Sequence, residues 1–417
     1  MKTLLSFTFL SFSFLLSAQD KYYDAQGEEI PCHCKDYKST TPQQITCYDE
    51  YNNKLTFTCI NGKKEGEAIT YYKSNPIKLT KVNFIDGKRQ GEEITYYNSG
   101  AIFSKCNFIN GKLQGEYIRY YESGAIKYQG YYINHKKQGK HIIYCLSGAI
   151  DSTYNYINNK KEGEEISYHS SGAIKSKANY INHEKQGEEI TYYNSGAIFS
   201  KSNFINGELH GESITYYEFG GAIKHKFNYI NNKKEGEFIS YYASGAIFSK
   251  SNFNNNELHG ESIQYHESGA IKSTVNYING YRQGKEITYY ASGAIESTVN
   301  CINGHRQGKY ITYYESGAIS YEVNCIDNAP HGESIAYYES GAIKSKANCV
   351  SGYRQGEYIT YYESGAIKSK ANYQNEVQRG KYITYYESGA IKSKANNLYS
   401  YRDGETIYYT ESDNIRE

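Results

Sequence analysis

The sequence predicts an all-β fold, an elongated, twisted, single-layer antiparallel meander of tandem hairpin repeats. Three observations lead there. Copies of one Gly-led unit, typified by GEYITYYESGAIKSKANYQNEVQR at 356–379, run from Gly66 to Gly380 at a spacing of 24 residues, or 25 after Gly66 and Gly211. Such a period marks one supersecondary unit stacked on copies of itself, not a globular domain with a single centre. The 417 residues include 50 Tyr and 38 Gly but no Trp, a composition that suits strands and turns. Within each unit apolar residues recur at every second position, the period of a strand.

Residues 1–19 combine a basic start at Lys2, an apolar run from Leu4 to Leu16 and the small or polar Ser17, Ala18 and Gln19. This is the pattern of a secretory signal peptide, because the run is shorter than the roughly 20 apolar residues that span a bilayer. The expected location is therefore secreted, periplasmic or cell-surface. No later segment is apolar enough to serve as an integral membrane span.

Residues 20–65 hold four of the nine cysteines, Cys32, Cys34, Cys47 and Cys59. They are expected to cap the array, with 42–65 a degenerate repeat, since a terminal unit must turn one edge to water. A three-residue turn at Asn52-Asn53-Lys54 would set Cys47 opposite Cys59, beside Leu55 and Phe57, which makes Cys47 and Cys59 the candidate disulfide. The Cys32-His33-Cys34 triplet has no second cluster at metal-ligand spacing and is read as a disulfide partner or a free thiol. An odd total leaves at least one thiol unpaired. Cys301, Cys325 and Cys349 share one position in successive units, about 9.6 Å apart in a flat sheet, too far for a disulfide and suited to packing.

Residues 66–403 form fourteen repeats, with 404–417 a truncated fifteenth that closes the array. In the Gly356 unit, Ile359 and Tyr361 alternate with Tyr358, Thr360 and Tyr362; Ile367, Ser369, Ala371 and Tyr373 alternate with Ala366, Lys368, Lys370 and Asn372. Bringing the two apolar sets onto one face requires an odd-length turn, which Glu363-Ser364-Gly365 supplies with Gly in the left-handed position. The expected register places Tyr362 opposite Ala366, Thr360 opposite Lys368 and Ile359 opposite Ser369. A longer polar link, such as Asn279 to Gly284, joins one hairpin to the next, because neither connection has the dozen residues of a parallel crossover. Asn75-Pro76 and Gly220-Gly221 are absorbed as altered turns. About 30 strands result, roughly 140 Å of sheet before twisting.

The pattern G-x-x-I-x-Y-Y-x-S-G-x-I, followed by an aromatic, Asn-Gly and a new Gly, resembles the MORN repeat in the variant form of the YwqK antitoxin family over about residues 42–417. The resemblance implies consecutive antiparallel hairpins and a binding or scaffolding role. For a YwqK-type protein it implies neutralising a toxin by binding it.

The chemistry expected is non-catalytic. With 46 basic and 45 acidic residues interleaved in every unit, neither a nucleic-acid surface nor a polybasic membrane patch is expected. An enzyme needs dissimilar groups converging in a pocket, whereas a repeated sheet presents like groups at intervals. His210, His259 and His331 fall in equivalent turns too far apart to share a metal, and no cofactor is expected. Lys-Ser-Lys triplets such as Lys175–Lys177 suit a solvated face, with Glu165 expected opposite Lys177. The second Tyr of each Tyr-Tyr pair forms a row in which Tyr290, Tyr314, Tyr338, Tyr362 and Tyr386 are the candidate binding surface, since Tyr supplies contact area at low entropic cost. The expected partner is a protein; the alternatives are a cell-envelope glycan held by the Tyr row and a toxin. The apolar Ile/Tyr band is a rival surface.

Overall fold

The computed structural model describes residues 22–23, 29–30, 33–49, 51–73, 77–398, 401–402 and 404–414. The expected signal peptide, Cys32 and the Asn75-Pro76 turn lie outside them. The chain divides into two compact units, Met1–Gly196 and Ala197–Glu417. Each is an open antiparallel sheet of consecutive hairpins.

The first unit opens on a short 3-10 turn, Cys34–Asp36, followed by the antiparallel strands Gln43–Tyr48 and Lys54–Ile60. Cys34, Ile45, Cys47, Phe57 and Cys59 form its buried core. The expected Cys47–Cys59 bond is not the one made: Cys59 is bonded to Cys34, with Cα atoms 5.4 Å apart, and Cys47 is disulfide-bonded elsewhere. The cause is the turn. The Asp49 carboxylate accepts hydrogen bonds from the backbone N–H groups of Tyr51 and Asn53, so the turn spans Asp49–Asn53. Cys47 therefore faces Leu55, and Cys59 faces Gln43. Cys47 and Cys59 share a face, as the alternation requires, but stand offset along it.

In the second unit, the Gly356–Tyr361 and Ile367–Gln374 strands show how a repeat is built. The Glu363-Ser364-Gly365 turn forms as expected, with Gly365 at φ 91° and the Tyr362 N–H donating to the Ala366 carbonyl at 2.8 Å. Tyr361 then pairs with Ile367, but a β-bulge intervenes before Thr360, which faces Ser369 instead of Lys368. Ile359 consequently faces Lys370, not Ser369. The first unit repeats the slip: Lys177 faces Ile166, Glu165 faces Ala178, and the Glu165 carboxylate pairs with Lys161 at 2.7 Å. One extra residue, Lys368 in the Gly356 unit, absorbs the difference and exchanges the faces of the first strand relative to the second.

The exchange decides what is buried. Thr360, Ser369 and Ala371 now lie on one face with Tyr358 and Tyr373, whose rings meet edge to face at 5.7 Å. Ser369 and Ala371 are buried. Hydroxyl pairs cross several hairpins there, as in Thr360–Ser369 and Thr384–Ser393 at 2.6 Å, and Ser167–Ser176 at 2.6 Å in the first unit. Each such cross-strand pair contributes on the order of 0.2–1 kcal/mol. The opposite face alternates Lys346, Ile359, Lys370, Ile383 and Lys394 along one row.

The link between hairpins is shorter than expected. Ile278 pairs with Tyr281, leaving Asn279 and Gly280 as a two-residue turn with φ of 48° and 80°. Positive φ at both positions matches the right-handed twist of the flanking strands. The strand then continues through an irregularity before Thr288, with Gly284 at φ 79°.

Candidate binding surface

Each tyrosine of the candidate row is half-buried and its hydroxyl is already used. Tyr290, Tyr314, Tyr338, Tyr362 and Tyr386 donate to the backbone carbonyls of Tyr313, Tyr337, Tyr361, Tyr385 and Tyr409 at 2.7–3.1 Å. Every acceptor belongs to the following repeat. Where histidine replaces tyrosine the bond persists: His169 Nε2 lies 3.0 Å from the Tyr192 carbonyl and His266 Nε2 lies 3.3 Å from that of Tyr289. A carbonyl only accepts, so Nε2 carries the proton in both rings.

Three of the five rings are covered as well. Lys344 stands over Tyr338, Lys368 over Tyr362 and Lys392 over Tyr386, with ammonium-to-centroid distances of 5.5–5.6 Å. The covering residue sits at the bulge, so the slip that exchanges the faces also delivers this lysine to the ring. Phe103 and Phe248 fill the same place beside Tyr97 and Tyr242.

One stretch of the row opens into a cavity of about 480 Å³, lined by His266, Lys272, Ser273, Tyr277, Glu286, Thr288, Tyr290 and Glu296 among others. Glu286 pairs with Arg282 at 3.1 Å and approaches Arg306 at 3.6 Å. It also accepts from the Cys301 thiol, and burial followed by that hydrogen bond pushes the thiol pKa up to about 11. Cys301, Cys325 and Cys349 are buried and free, packed as their spacing indicated.

A second surface lies at the two-residue turns that link one hairpin to the next. The residue before many of these turns is an exposed aliphatic: Ile109, Ile157 and Ile181 in the first unit, and Ile302 at 45 %, Ile326 at 46 % and Val350 at 43 % exposure in the second. These side chains stand in line along one edge of each sheet.

One further cluster is built around a histidine that the repeat pattern does not single out. His141 is fully buried against Tyr128, Tyr132 and Tyr156. Its Nε2 lies 3.2 Å from the Tyr131 carbonyl and so donates, leaving Nδ1 to accept from the Tyr128 hydroxyl. Burial, with Lys137 nearby, pushes the imidazole pKa down to about 4. A signal existed in the repeat: Gly130 stands where Ala347 and Ala371 stand in other units, and His141 where Tyr358 does. A Cβ at Gly130 would sit 2.2 Å from His141 Nδ1.

Among the described residues no three His, Cys, Asp or Glu side chains gather to hold a metal ion, and no helix is long and apolar enough to cross a membrane.

No curated protein matches the chain. Among solved structures, the crystal structure of TcdB2-TccC3-Cdc42 is 8% identical with a TM-score of 0.15, covering 94% of this chain and 24% of that one. The Photorhabdus luminescens Tc holotoxin pore with the TccC3-D651A mutation is 9% identical, with the same TM-score and the same shares covered. The chain thus spans about a quarter of the length of those chains. The MORN repeat variant matches ten times, at residues 89–110, 113–134, 161–182, 185–206, 234–255, 258–279, 306–325, 330–348, 354–375 and 378–396. With more than half of its residues in those ten segments, the chain belongs to the MORN repeat variant family.

Proposed function

We propose that this protein is a non-catalytic, exported module that binds a protein partner along its aliphatic turn edge. The observation carrying this reading is the line of Ile302, Ile326 and Val350, each more than two-fifths exposed. Aligned apolar side chains left in water favour a partner that removes them from it. The Tyr row is the weaker surface because its hydroxyls are committed to the next repeat, so glycan recognition through those hydroxyls loses its donors. Export is supported by residues 1–19 and by the Cys34–Cys59 disulfide, since disulfides persist in oxidising compartments. A toxin as the partner is what the YwqK resemblance implies.

The test is capture from the native cell envelope by the full chain and by a variant carrying Ile302→Glu, Ile326→Glu and Val350→Glu. These positions are exposed, so the variant is expected to fold. A protein captured by the wild type and lost with the variant is the expected result. Equal capture by both rejects this edge, and binding on a glycan array with no protein captured rejects the reading in favour of a glycan.

A further inference from the structure

The repeats supply their own comparison for the cavity beside Tyr290. At Tyr338, Tyr362 and Tyr386 the bulge residue is a lysine whose ammonium covers the ring. Beside Tyr290 the same position holds Glu296, which lines the cavity together with the ring. The chain thus places a carboxylate where those three repeats place a cation.

We propose that Tyr290 and Glu296 form a receptor for a lysine or arginine side chain of the protein partner, an inference that rests on the protein-binding reading above. The negative face of a tyrosine ring attracts an ammonium or guanidinium group, and the internal lysines show that this fold presents the ring in that way. Glu296 adds an opposite charge and makes no ion pair among the described residues. Glu286, the other carboxylate of the cavity, is held by Arg282 at 3.1 Å. The Tyr290 hydroxyl donates to the Tyr313 carbonyl at 2.7 Å and anchors the ring. Lys272 lines the same cavity and sets the polarity of the guest. The incoming cation lies toward Glu296, and carbonyl oxygens of the partner's backbone lie toward Lys272.

The test uses fluorescence anisotropy with the full chain and two fluorescein-labelled peptides, one with a single central arginine and one with norleucine in its place. The arginine peptide is expected to bind and the norleucine peptide to bind at least tenfold more weakly. Glu296→Lys installs the lysine lid of the Tyr338, Tyr362 and Tyr386 repeats and is expected to weaken arginine-peptide binding about tenfold, within the range of a cation–aromatic contact plus an ion pair. Glu387→Lys makes the same charge change at an exposed turn and is expected to leave binding unchanged. Equal affinity of the wild type and Glu296→Lys, equal loss in both variants, or no preference for arginine over norleucine overturns the proposal. Each of those failures leaves the turn-edge experiment on Ile302, Ile326 and Val350 to decide the broader reading separately.

Discussion

The Tyr338 hydroxyl donates a 2.8 Å hydrogen bond to the carbonyl oxygen of Tyr361, in the next repeat. The relation recurs from Tyr97 to Tyr120 in the first unit and from Tyr290 to Tyr313 in the second. Stability in such arrays is the sum of each repeat and its contacts with its neighbours. This bond adds to those contacts in a form that the backbone ladder does not supply. His169 and His266 preserve it because imidazole Nε2 reaches the same carbonyl.

Tyr338→Phe keeps the ring under Lys344 and removes only the donor. A net hydrogen bond is worth about 1 kcal/mol, so the expected cost is about 1 kcal/mol, with about 3 kcal/mol for the triple Phe variant at Tyr314, Tyr338 and Tyr362. Hydrogen exchange across residues 308–385 measures it. Unchanged protection in the triple variant would show that these bonds do not couple the repeats.

The hairpin order, the Glu-Ser-Gly turn and the 24-residue period were all legible, because turn chemistry and periodicity are written residue by residue. The bulge at Lys368 was not. Alternation with period two fixes each strand's faces but not how two strands align across one extra residue, so alternation alone sets Thr360 opposite Lys368 although it faces Ser369. The Tyr row was legible as a row, while its use as an inter-repeat bond depends on the distance from Tyr362 Oη to the Tyr385 carbonyl. Glu296 was visible only as one residue differing from Lys344 and Lys368, a difference that acquires meaning once those lysines are seen over their rings.

Peptide mapping without reduction is expected to recover Cys34 linked to Cys59, and not Cys47 linked to Cys59. A bridge between residues 25 apart stabilises by about 3–4 kcal/mol through the loop it closes. Cys34→Ser should therefore expose residues 43–60 to proteolysis while the repeats beyond 91 stay protected. Recovery of a Cys47–Cys59 peptide would overturn the Asp49–Asn53 turn assignment.

His141 makes the first unit sensitive to acid. Its pKa is lowered to about 4 in the fold, chiefly by burial, from about 6.5 in the unfolded chain. Between those values the unfolded state binds the proton and the folded state does not, so stability rises with pH across that window. The contribution is complete above about pH 6.5 and is lost as pH falls toward 4, about 3 kcal/mol in all. The urea midpoint of the first unit, followed by exchange at residues 126–157, should fall between pH 7 and pH 5. His141→Ser should flatten that part of the dependence, and an unchanged slope would assign it to other groups.

Gly130→Ala is the most discriminating substitution in the first unit, because the repeat pattern and the structure make opposite forecasts for it. Alanine holds the equivalent position at Ala347 and Ala371, so the pattern alone predicts a stabilising change through a stiffer unfolded chain. In the structure the new Cβ would lie 2.2 Å from His141 Nδ1 and 2.8 Å from the Tyr128 hydroxyl oxygen. The imidazole has no room to retreat, since His141 is fully enclosed, and overpacking of this kind costs about 1–3 kcal/mol. A double-mutant cycle separates the two forecasts. Serine occupies the His141 position in other repeats, as Ser213 and Ser334, so in a His141→Ser background Gly130→Ala should cost almost nothing. The expected coupling is therefore nearly the whole cost of the single substitution, measured by chemical denaturation. Equal costs in both backgrounds would place the penalty in the backbone at residue 130 and not in the imidazole it faces.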